Sequence, residues 1–142
     1  MFHFELVAIS GKKFDEDVYE VVLPTLDGEI GVLQDHMPLV SVATTGAIMI
    51  RRNPKDSDHQ REFFATNGGV IEVSDNTLRV LVDEADHADE INEAEVQKAL
   101  ERAQKAQAEA KDQVSLEHAQ QLVDRQAVRL QVAGLKRRHQ RK

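Results

Sequence analysis

Several residue types are missing or scarce in this chain of 142 residues, which has no cysteine, no tryptophan and only 4% aromatic residues. Without cysteine the chain forms no disulfide bonds and offers no thiol nucleophile and no cysteine-ligated zinc. No stretch approaches the roughly 18–20 apolar residues that a membrane-spanning helix needs. The first ten residues lack the basic start of a signal peptide, and Glu5 interrupts their apolar run. If the protein works at a membrane, we expect another component to hold it there.

Charge is distributed unevenly along the chain. Residues 1–90 carry 18 acidic and 7 basic side chains, a balance of −11, whereas residues 91–142 carry 7 acidic and 11 basic side chains, a balance of +4. This contrast indicates two modules with different partners. The basic half contains no Phe, Trp or Tyr, although proteins that bind single-stranded nucleic acid usually combine cations with stacking aromatic residues. We therefore expect no nucleic acid among the partners.

The first 84 residues have the alternating pattern of half-buried strands. Phe2, Phe4, Leu6 and Ala8, for example, fall on one face of the first segment. Strands are predicted in the segments FHFELVAI, VYEVVL, AIMIRR, REFFAT, GVIEVS and TLRVLVD. Turn residues separate these segments about every ten residues, which is typical of an antiparallel β-sandwich or barrel.

The pattern changes near residue 90. The segment INEAEVQKALERAQKAQAEA is rich in strong helix formers and lacks glycine and proline. Asn92 and Glu95 are spaced as a capping box at its start. A second helix is predicted from an N-cap at Ser115 to about Gly134. The short connection between the two helices predicts an antiparallel hairpin.

These patterns predict an α+β protein with two domains. An N-terminal antiparallel β-sandwich or barrel occupies residues 1–86, and a C-terminal antiparallel two-helix hairpin with a basic tail occupies residues 87–142. The acidic stretch 83–90, in which the boundary falls, is interpreted as a solvated linker. The first helix has mainly alanine on its apolar side. Alanine buries little area, so we expect the hairpin to dock weakly and to populate a second arrangement.

The sequence contains no recognisable motif for catalysis or cofactor binding. The stretch GEIGVLQDHMPL, residues 28–39, has Gly28 and Gly31 but no lysine after the second glycine, so it is not a phosphate-binding loop and is interpreted as a turn. Asp35 and His36 lack a nucleophile at a recognisable spacing, and the acidic stretch lacks EF-hand spacing. We predict no catalytic residue, no cofactor and no metal ligand, and favour a binding or mechanical component.

Three segments, taken in order, carry a resemblance to a known family: GEIGVLQDHMPLVSVATTGAIMI, ATNGGVIEVSDNTLRVLVDEA and the closing helical hairpin. They match a G-E-[LI]-G-[IV]-L segment that leads to His-x-Pro-Leu, a G-G-x-x-E-V strand and a V-L-[AV]-D strand. The chain thus resembles the epsilon subunits of bacterial F-type ATP synthases over nearly its whole length. This resemblance implies a non-catalytic rotor subunit of the central stalk, held peripherally at the cytoplasmic face of the cell membrane by the complex.

The resemblance also implies where the rotor is contacted. In the family, the sandwich binds the gamma subunit and the polar loops of the c-ring. The matching residues in this chain are Glu29, Gly31, His36 and Pro38. Family members commonly have Pro-Gly before the histidine, whereas this chain has Gln34-Asp35. We therefore expect a different turn at this point.

In the family the helical hairpin acts as a brake on ATP hydrolysis. It folds beside the sandwich or extends along gamma into the alpha/beta hexamer, where basic residues of the second helix face acidic residues of the beta subunits. The matching basic face comprises Arg125, Arg129, Lys136, Arg137 and Arg138. Some members bind ATP at the hairpin through an [IL]-D-x-x-R-A motif. Asn92 and Glu95 replace its aspartate and arginine here, so we expect no tight ATP binding.

Two alternatives remain open from the sequence. A small enzyme could use Asp35 and His36, and a stand-alone adaptor could bind polyanions through the basic tail KRRHQRK, residues 136–142. The coupling ion, proton or sodium, is a property of the c-ring.

Overall fold

The computed structural model describes the backbone of residues 1–140 and the side chains of residues 1–136. Within that part of the chain, eight strands come first: β1 (Phe2–Ala8), β2 (Gly11–Val18), β3 (Glu20–Thr25), β4 (Gly28–Val32), β5 (Leu39–Arg51), β6 (Glu62–Ser74), β7 (Thr77–Val82) and β8 (Ala85–His87). Two helices follow, α1 (Glu93–Glu109) and α2 (Gln113–Gln140). Short 3-10 turns occur at Asp58–Gln60 and Ala88–Glu90. The predicted α+β class, a β-sandwich followed by a two-helix hairpin, is confirmed.

The strands hydrogen-bond in the order β2-β1-β7-β6-β5-β3-β4, and β8 pairs with β6. The two longest strands, β5 and β6, each have 13 residues and pair with each other along most of their length. In one half of this pair, β6 also hydrogen-bonds to β7. In the other half, β5 hydrogen-bonds to β3 and β6 hydrogen-bonds to β8. The path does not close on itself, so the domain is a sandwich and the barrel alternative is wrong. The prediction of antiparallel pairing also misses one parallel pair, β1 with β7.

The main core lies between the layers and follows the period of two that the sequence predicts. Phe2, Phe4, Leu6 and Ala8 of β1 are all buried, as their alternation indicates. Other fully buried side chains of this core are Val18, Val21, Leu23, Val32, Ile48, Ile50, Ile71, Leu78 and Val80. The core is therefore built from inward-facing residues of nearly every strand.

Two edge strands, β2 and β4, were not predicted. Only Phe14 and Val18 of β2 are buried, because the remaining positions of this edge strand face solvent and carry charged side chains or glycine. The interpretation of Gly28 and Gly31 as a turn holds only for Gly28. This residue is the first of β4, and with a φ of 109° it closes the turn that follows β3. Gly31 lies inside β4 and pairs with Val22. Neither edge strand has the apolar alternation of a half-buried strand.

The hairpin begins as predicted and differs at its second helix. Asn92 caps α1, since its side chain accepts a hydrogen bond from the Glu95 N–H. The N-cap predicted at Ser115 is wrong: α2 begins at Gln113, and the Asp112 carboxylate accepts a hydrogen bond of 2.7 Å from the Ser115 N–H. This bond lowers the pKa of Asp112. The predicted end near Gly134 is also wrong, because α2 continues to Gln140 through a segment that packs against the sandwich.

The acidic stretch 83–90 is not the solvated linker that its charge suggested. Ala85 lies in β8, which pairs with β6, and both Ala85 and Ala88 are buried. Asp86 and His87, between these alanines, are half-buried, whereas the other acidic side chains of the segment are exposed. The net charge of the segment hid its packing, because only two small apolar residues mark the buried positions.

Candidate interaction sites

The hairpin docks on the sandwich through α2. Residues of β5 and β6 that point away from the main core form a second apolar cluster with this helix. Its buried members are Met49, Phe63, Ala65, Ala88 and Val132, and its half-buried members are Val22, Ala47, Ile91, Val128 and Leu135. We call this set the docking cluster. The residues that α2 contributes to this cluster are Val128, Val132 and Leu135.

Three ion pairs connect α2 to the acidic stretch beside the docking cluster. The Arg125 guanidinium lies 3.5 Å from the Glu84 carboxylate, and the Arg129 guanidinium lies 3.2 Å from the Asp86 carboxylate. The Lys136 ammonium pairs with the Asp89 carboxylate. The three basic residues are four and seven positions apart, which places them along one side of the helix. We call these three pairs the latch.

The latch gathers part of the predicted basic face in one place. Arg125, Arg129 and Lys136 all take part in it, whereas Arg137 and Arg138 lie outside the residues whose side chains are described. The paired groups remain between about one quarter and three fifths exposed, with 27% exposure for Arg129 and 58% for Asp89. Exposed pairs of this kind contribute about 0–1 kcal/mol each. The latch thus adds only a modest contribution to the docking of the hairpin.

The four predicted rotor-contact residues do not form one cluster. Glu29 and Gly31 lie on the edge strand β4, where Glu29 pairs with Pro24. Glu29 also lines an open groove of about 570 Å³ between the sandwich and α2. His36 and Pro38 lie beyond the other end of β4, in the loop 33–38. Glu29 therefore faces the hairpin side of the molecule, whereas His36 and Pro38 belong to the loop.

The loop 33–38 has a tight turn at its centre. The His36 N–H donates a hydrogen bond of 3.2 Å to the Leu33 carbonyl, and Asp35 has a φ of 62°. The His36 Nδ1 lies 2.7 Å from the Met37 carbonyl oxygen. Within the described residues, no hydrogen bond or ion pair joins the Asp35 carboxylate to His36. This arrangement gives no support to the enzyme alternative, which needs those two side chains to act together.

An exposed apolar strip crosses the outer face of the sheet. Val7, Leu81, Val70 and Val42 are direct neighbours across β1, β7, β6 and β5. Leu81 and Val70 are each 46% exposed and Val42 is 53% exposed. Contiguous apolar surface of this kind usually marks an interaction site. This strip was not predicted, although the apolar residues at outward positions of GVIEVS and TLRVLVD were a signal for it.

A surface network at the β1–β2 edge is the one arrangement among the described residues whose geometry would suit a metal ion. Ligand atoms of His3, Glu5 and Asp15 lie within 4.8 Å of one another. The Lys12 ammonium lies 3.1 Å from Asp15, and the Arg79 guanidinium lies 3.0 Å from Glu5. Because these cations already neutralise the carboxylates, the network is an ion-pair cluster, and its basic members disfavour a metal ion.

Comparison with known proteins is consistent with this architecture. The profile of the family described as "ATP synthase, Delta/Epsilon chain, beta-sandwich domain" matches residues 1–88. The ATP synthase epsilon chain of Sulfurihydrogenibium sp. (strain YO3AOP1) is 34% identical over 137 residues, which cover 96% of this chain and 99% of that relative.

Two solved structures share the fold. A chain of the Euglena gracilis mitochondrial ATP synthase assembly with the c-ring aligns with a TM-score of 0.76 at 20% identity, over 93% of this chain and 79% of that chain. A chain of the Tetrahymena thermophila mitochondrial ATP synthase central stalk and c-ring aligns with a TM-score of 0.59 at 15% identity, over 98% and 96%. In the described part of this chain, no helix combines the length and apolarity that a membrane span requires. The family profile and the full-length similarity together show that this chain belongs to the ATP synthase epsilon chain family, whose members are non-catalytic subunits.

Proposed function

We propose that the chain works in the central-stalk rotor of a bacterial F-type ATP synthase, at the cytoplasmic face of the cell membrane. The apolar strip on the sandwich is the observation that carries this proposal. It offers Leu81, Val70 and Val42 on a sheet face that the hairpin leaves uncovered. A permanent partner would bury this surface, and the gamma subunit is the partner that the family resemblance implies. The loop 33–38, with His36 and Pro38, would then face the c-ring.

The rotor contact is tested by placing a charge in the strip. Val70→Asp introduces a carboxylate where apolar contact with a partner is expected, and burying an unpaired charge is costly. We expect gamma and c subunits to be lost from the complex purified through the variant. Val114→Asp is the matched control, because Val114 is 77% exposed on α2 and outside the docking cluster. Equal recovery of gamma with both variants would contradict a gamma contact at the strip.

The hairpin is proposed to be a conformational brake on ATP hydrolysis. In the docked form its basic residues Arg125, Arg129 and Lys136 are paired with the acidic stretch in the latch. An extended hairpin would free the same residues for acidic groups of the beta subunits. Because one set of cations would serve both forms, the acidic stretch and the beta subunits compete for it. The mutual exclusion of the two contacts is the physical basis of the switch.

This competition predicts effects of opposite sign from the two sides of the latch. Neutralising the acidic side (Glu84→Gln, Asp86→Asn and Asp89→Asn) removes only the docked contacts, so the hairpin extends more often and hydrolysis falls. Neutralising the basic side (Arg125→Gln, Arg129→Gln and Lys136→Gln) removes the contacts of both forms, so the brake weakens and hydrolysis rises. Each pair contributes about 0–1 kcal/mol, so the loss of all three would shift the docking equilibrium by up to about 100-fold.

The assay is ATP hydrolysis by the complete enzyme reconstituted with each variant. Deletion of residues 91–142 supplies the fully released reference, and Glu109→Gln, an exposed acidic position of α1 outside the latch, is the control. A change of the same sign in both triple variants would contradict the competition. Unchanged hydrolysis after the deletion would contradict the brake itself.

The adaptor that binds polyanions has less support from the structure. Lys136, the first residue of the basic tail, already pairs with Asp89, and Arg125 and Arg129 pair with Glu84 and Asp86. These cations would have to leave carboxylates before they could contact a polyanion. The contacts therefore support the central-stalk rotor better than the adaptor.

A further inference from the structure

Asn76 occupies a turn position that would suit glycine better. The strands β6 and β7 are joined by a two-residue turn, in which Asp75 has a φ of 49° and Asn76 a φ of 58°. A turn with two left-handed residues has the geometry of the common tight hairpin, whose second position favours glycine. Asparagine tolerates this conformation, but the turn does not require its side chain.

The Asn76 side chain bonds to two segments that are distant in the sequence. Its Oδ1 accepts a hydrogen bond of 2.9 Å from the Asp35 N–H, 41 residues away. Its Nδ2 donates a hydrogen bond of 3.1 Å to the Met1 carbonyl oxygen, 75 residues away. The Asn76 carbonyl oxygen also accepts a hydrogen bond of 3.1 Å from the His3 N–H. One residue thus ties the β6–β7 turn, the loop 33–38 and the start of β1 together.

The bond to Asp35 falls where the loop has its least favourable conformation. Asp35 has a φ of 62°, which costs a non-glycine residue free energy unless the surroundings hold it. It sits inside the turn closed by the bond from the His36 N–H to the Leu33 carbonyl. The hydrogen bond that the Asn76 Oδ1 accepts from the Asp35 N–H supports Asp35 directly, and through this turn it orients His36. The Gln34 side chain is fixed as well, because it accepts a hydrogen bond from the amino group of Met1.

We propose that Asn76 is a positioning residue that holds the loop 33–38 in its rotor-binding conformation. Asn76 acts through Asp35 and touches no partner itself. This inference rests on the proposed function, because the proposed function gives the loop a partner in the rotor. The Asn76 amide stabilises the left-handed conformation of Asp35, which a glycine at position 35 would adopt without support.

Asn76→Gly separates this role from folding. The substitution turns Asp-Asn into Asp-Gly, which is a preferred pair for this type of turn, and it leaves the backbone bond to His3 in place. Asp75→Gly is the matched control, since it alters the neighbouring left-handed residue and leaves the Asn76 side chain unchanged. We expect both variants to melt close to the temperature of the parent protein.

Two measurements on the full chain then test the inference. Hydrogen exchange at the Asp35 amide is expected to accelerate about tenfold in Asn76→Gly and to stay unchanged in Asp75→Gly, as the net value of one or two hydrogen bonds predicts. Affinity for the rotor assembly stripped of this subunit is expected to fall about tenfold in Asn76→Gly alone. Adding Asp35→Gly to Asn76→Gly is expected to restore most of this affinity, because glycine adopts the left-handed conformation without support.

The outcomes distinguish the inference from the proposed function. If the parent chain fails to bind the stripped rotor, the proposed function is wrong, and the exchange rates still decide whether Asn76 holds Asp35. If the parent binds and Asn76→Gly binds equally well, the positioning role is wrong. Unchanged exchange at Asp35, or no recovery in the double variant, would also overturn it.

Discussion

Val132 is the residue through which the docking of the hairpin can be measured most directly. It is fully buried on α2 within the docking cluster. Val132→Ala removes two carbon atoms, each worth about 0.8 kcal/mol of transfer free energy. The space left behind raises the expected loss to about 2–3 kcal/mol. Docking should therefore weaken by about 30-fold or more, while the sandwich core, which does not contain Val132, keeps its own stability.

The absence of cysteine makes the assay simple. Cysteines introduced at the exposed positions Lys55 and Lys111 are the only thiols in the chain, so a donor and an acceptor dye report the distance between the sandwich and the tip of the hairpin. Energy transfer is followed through a urea titration, and the free energy of docking is extrapolated to water. Val114→Ala is the control, because it is the same substitution on the same helix at a side chain that is 77% exposed.

Similar behaviour of the two variants would contradict the role of the docking cluster. A loss of docking free energy below about 0.5 kcal/mol for Val132→Ala would mean that the cluster does not hold α2, since surface substitutions also fall in this range. An equal loss in both variants would also contradict the role of the docking cluster, because alanine favours a helix more than valine does and helix propensity therefore gives no loss.

Two further predictions concern the sandwich. The hydrogen bond to Asp17, and then the one to Asp15, raises the pKa of His3 above its ordinary value of 6.5. The stabilising contribution of His3 is therefore complete below pH 6.5 and is lost as the pH rises through the raised pKa. An NMR titration should show a lower pKa for His3 in Asp17→Asn, and an unchanged pKa would contradict this. Gly69→Ala should cost about 1–3 kcal/mol in thermal unfolding, because its Cβ would lie 2.0 Å from the Leu81 carbonyl oxygen, whereas Gly31→Ala, with nothing within 4 Å of its Cβ, should cost far less.

The sequence predicted those parts of the fold in which burial imposes a period. The strand β1 alternates buried and half-buried residues along its whole length, and α1 begins at the predicted cap, Asn92. The edge strands β2 and β4 escaped prediction because solvent covers most of their side chains and imposes no pattern on them. The extension of α2 past Gly134 escaped it for a different reason. Contacts of Val132 and Leu135 with the sandwich outweigh the roughly 1 kcal/mol by which glycine weakens a helix.

Before the structure was known, only the family resemblance pointed to the basic residues of the latch. That resemblance supplied Arg125, Arg129 and Lys136, but their docked partners lie in a segment that looked like a solvated linker. Asn76 gave no sequence signal at all, because its contacts join segments 41 and 75 residues apart. Such contacts depend on tertiary register, which short-range patterns do not contain.

The parallel pairing of β1 with β7 constrains how the chain matures on the ribosome. Glu5 and Arg79, which pair across these strands, are 74 residues apart. At 5–20 residues per second, β1 waits about 4–15 s for β7 after its own synthesis. During this interval β1 has a hydrogen-bonding neighbour, β2, on one edge only, so the nascent sandwich exposes an unfinished strand edge. Newly made chains should therefore depend on chaperones most strongly before residue 82 has left the exit tunnel.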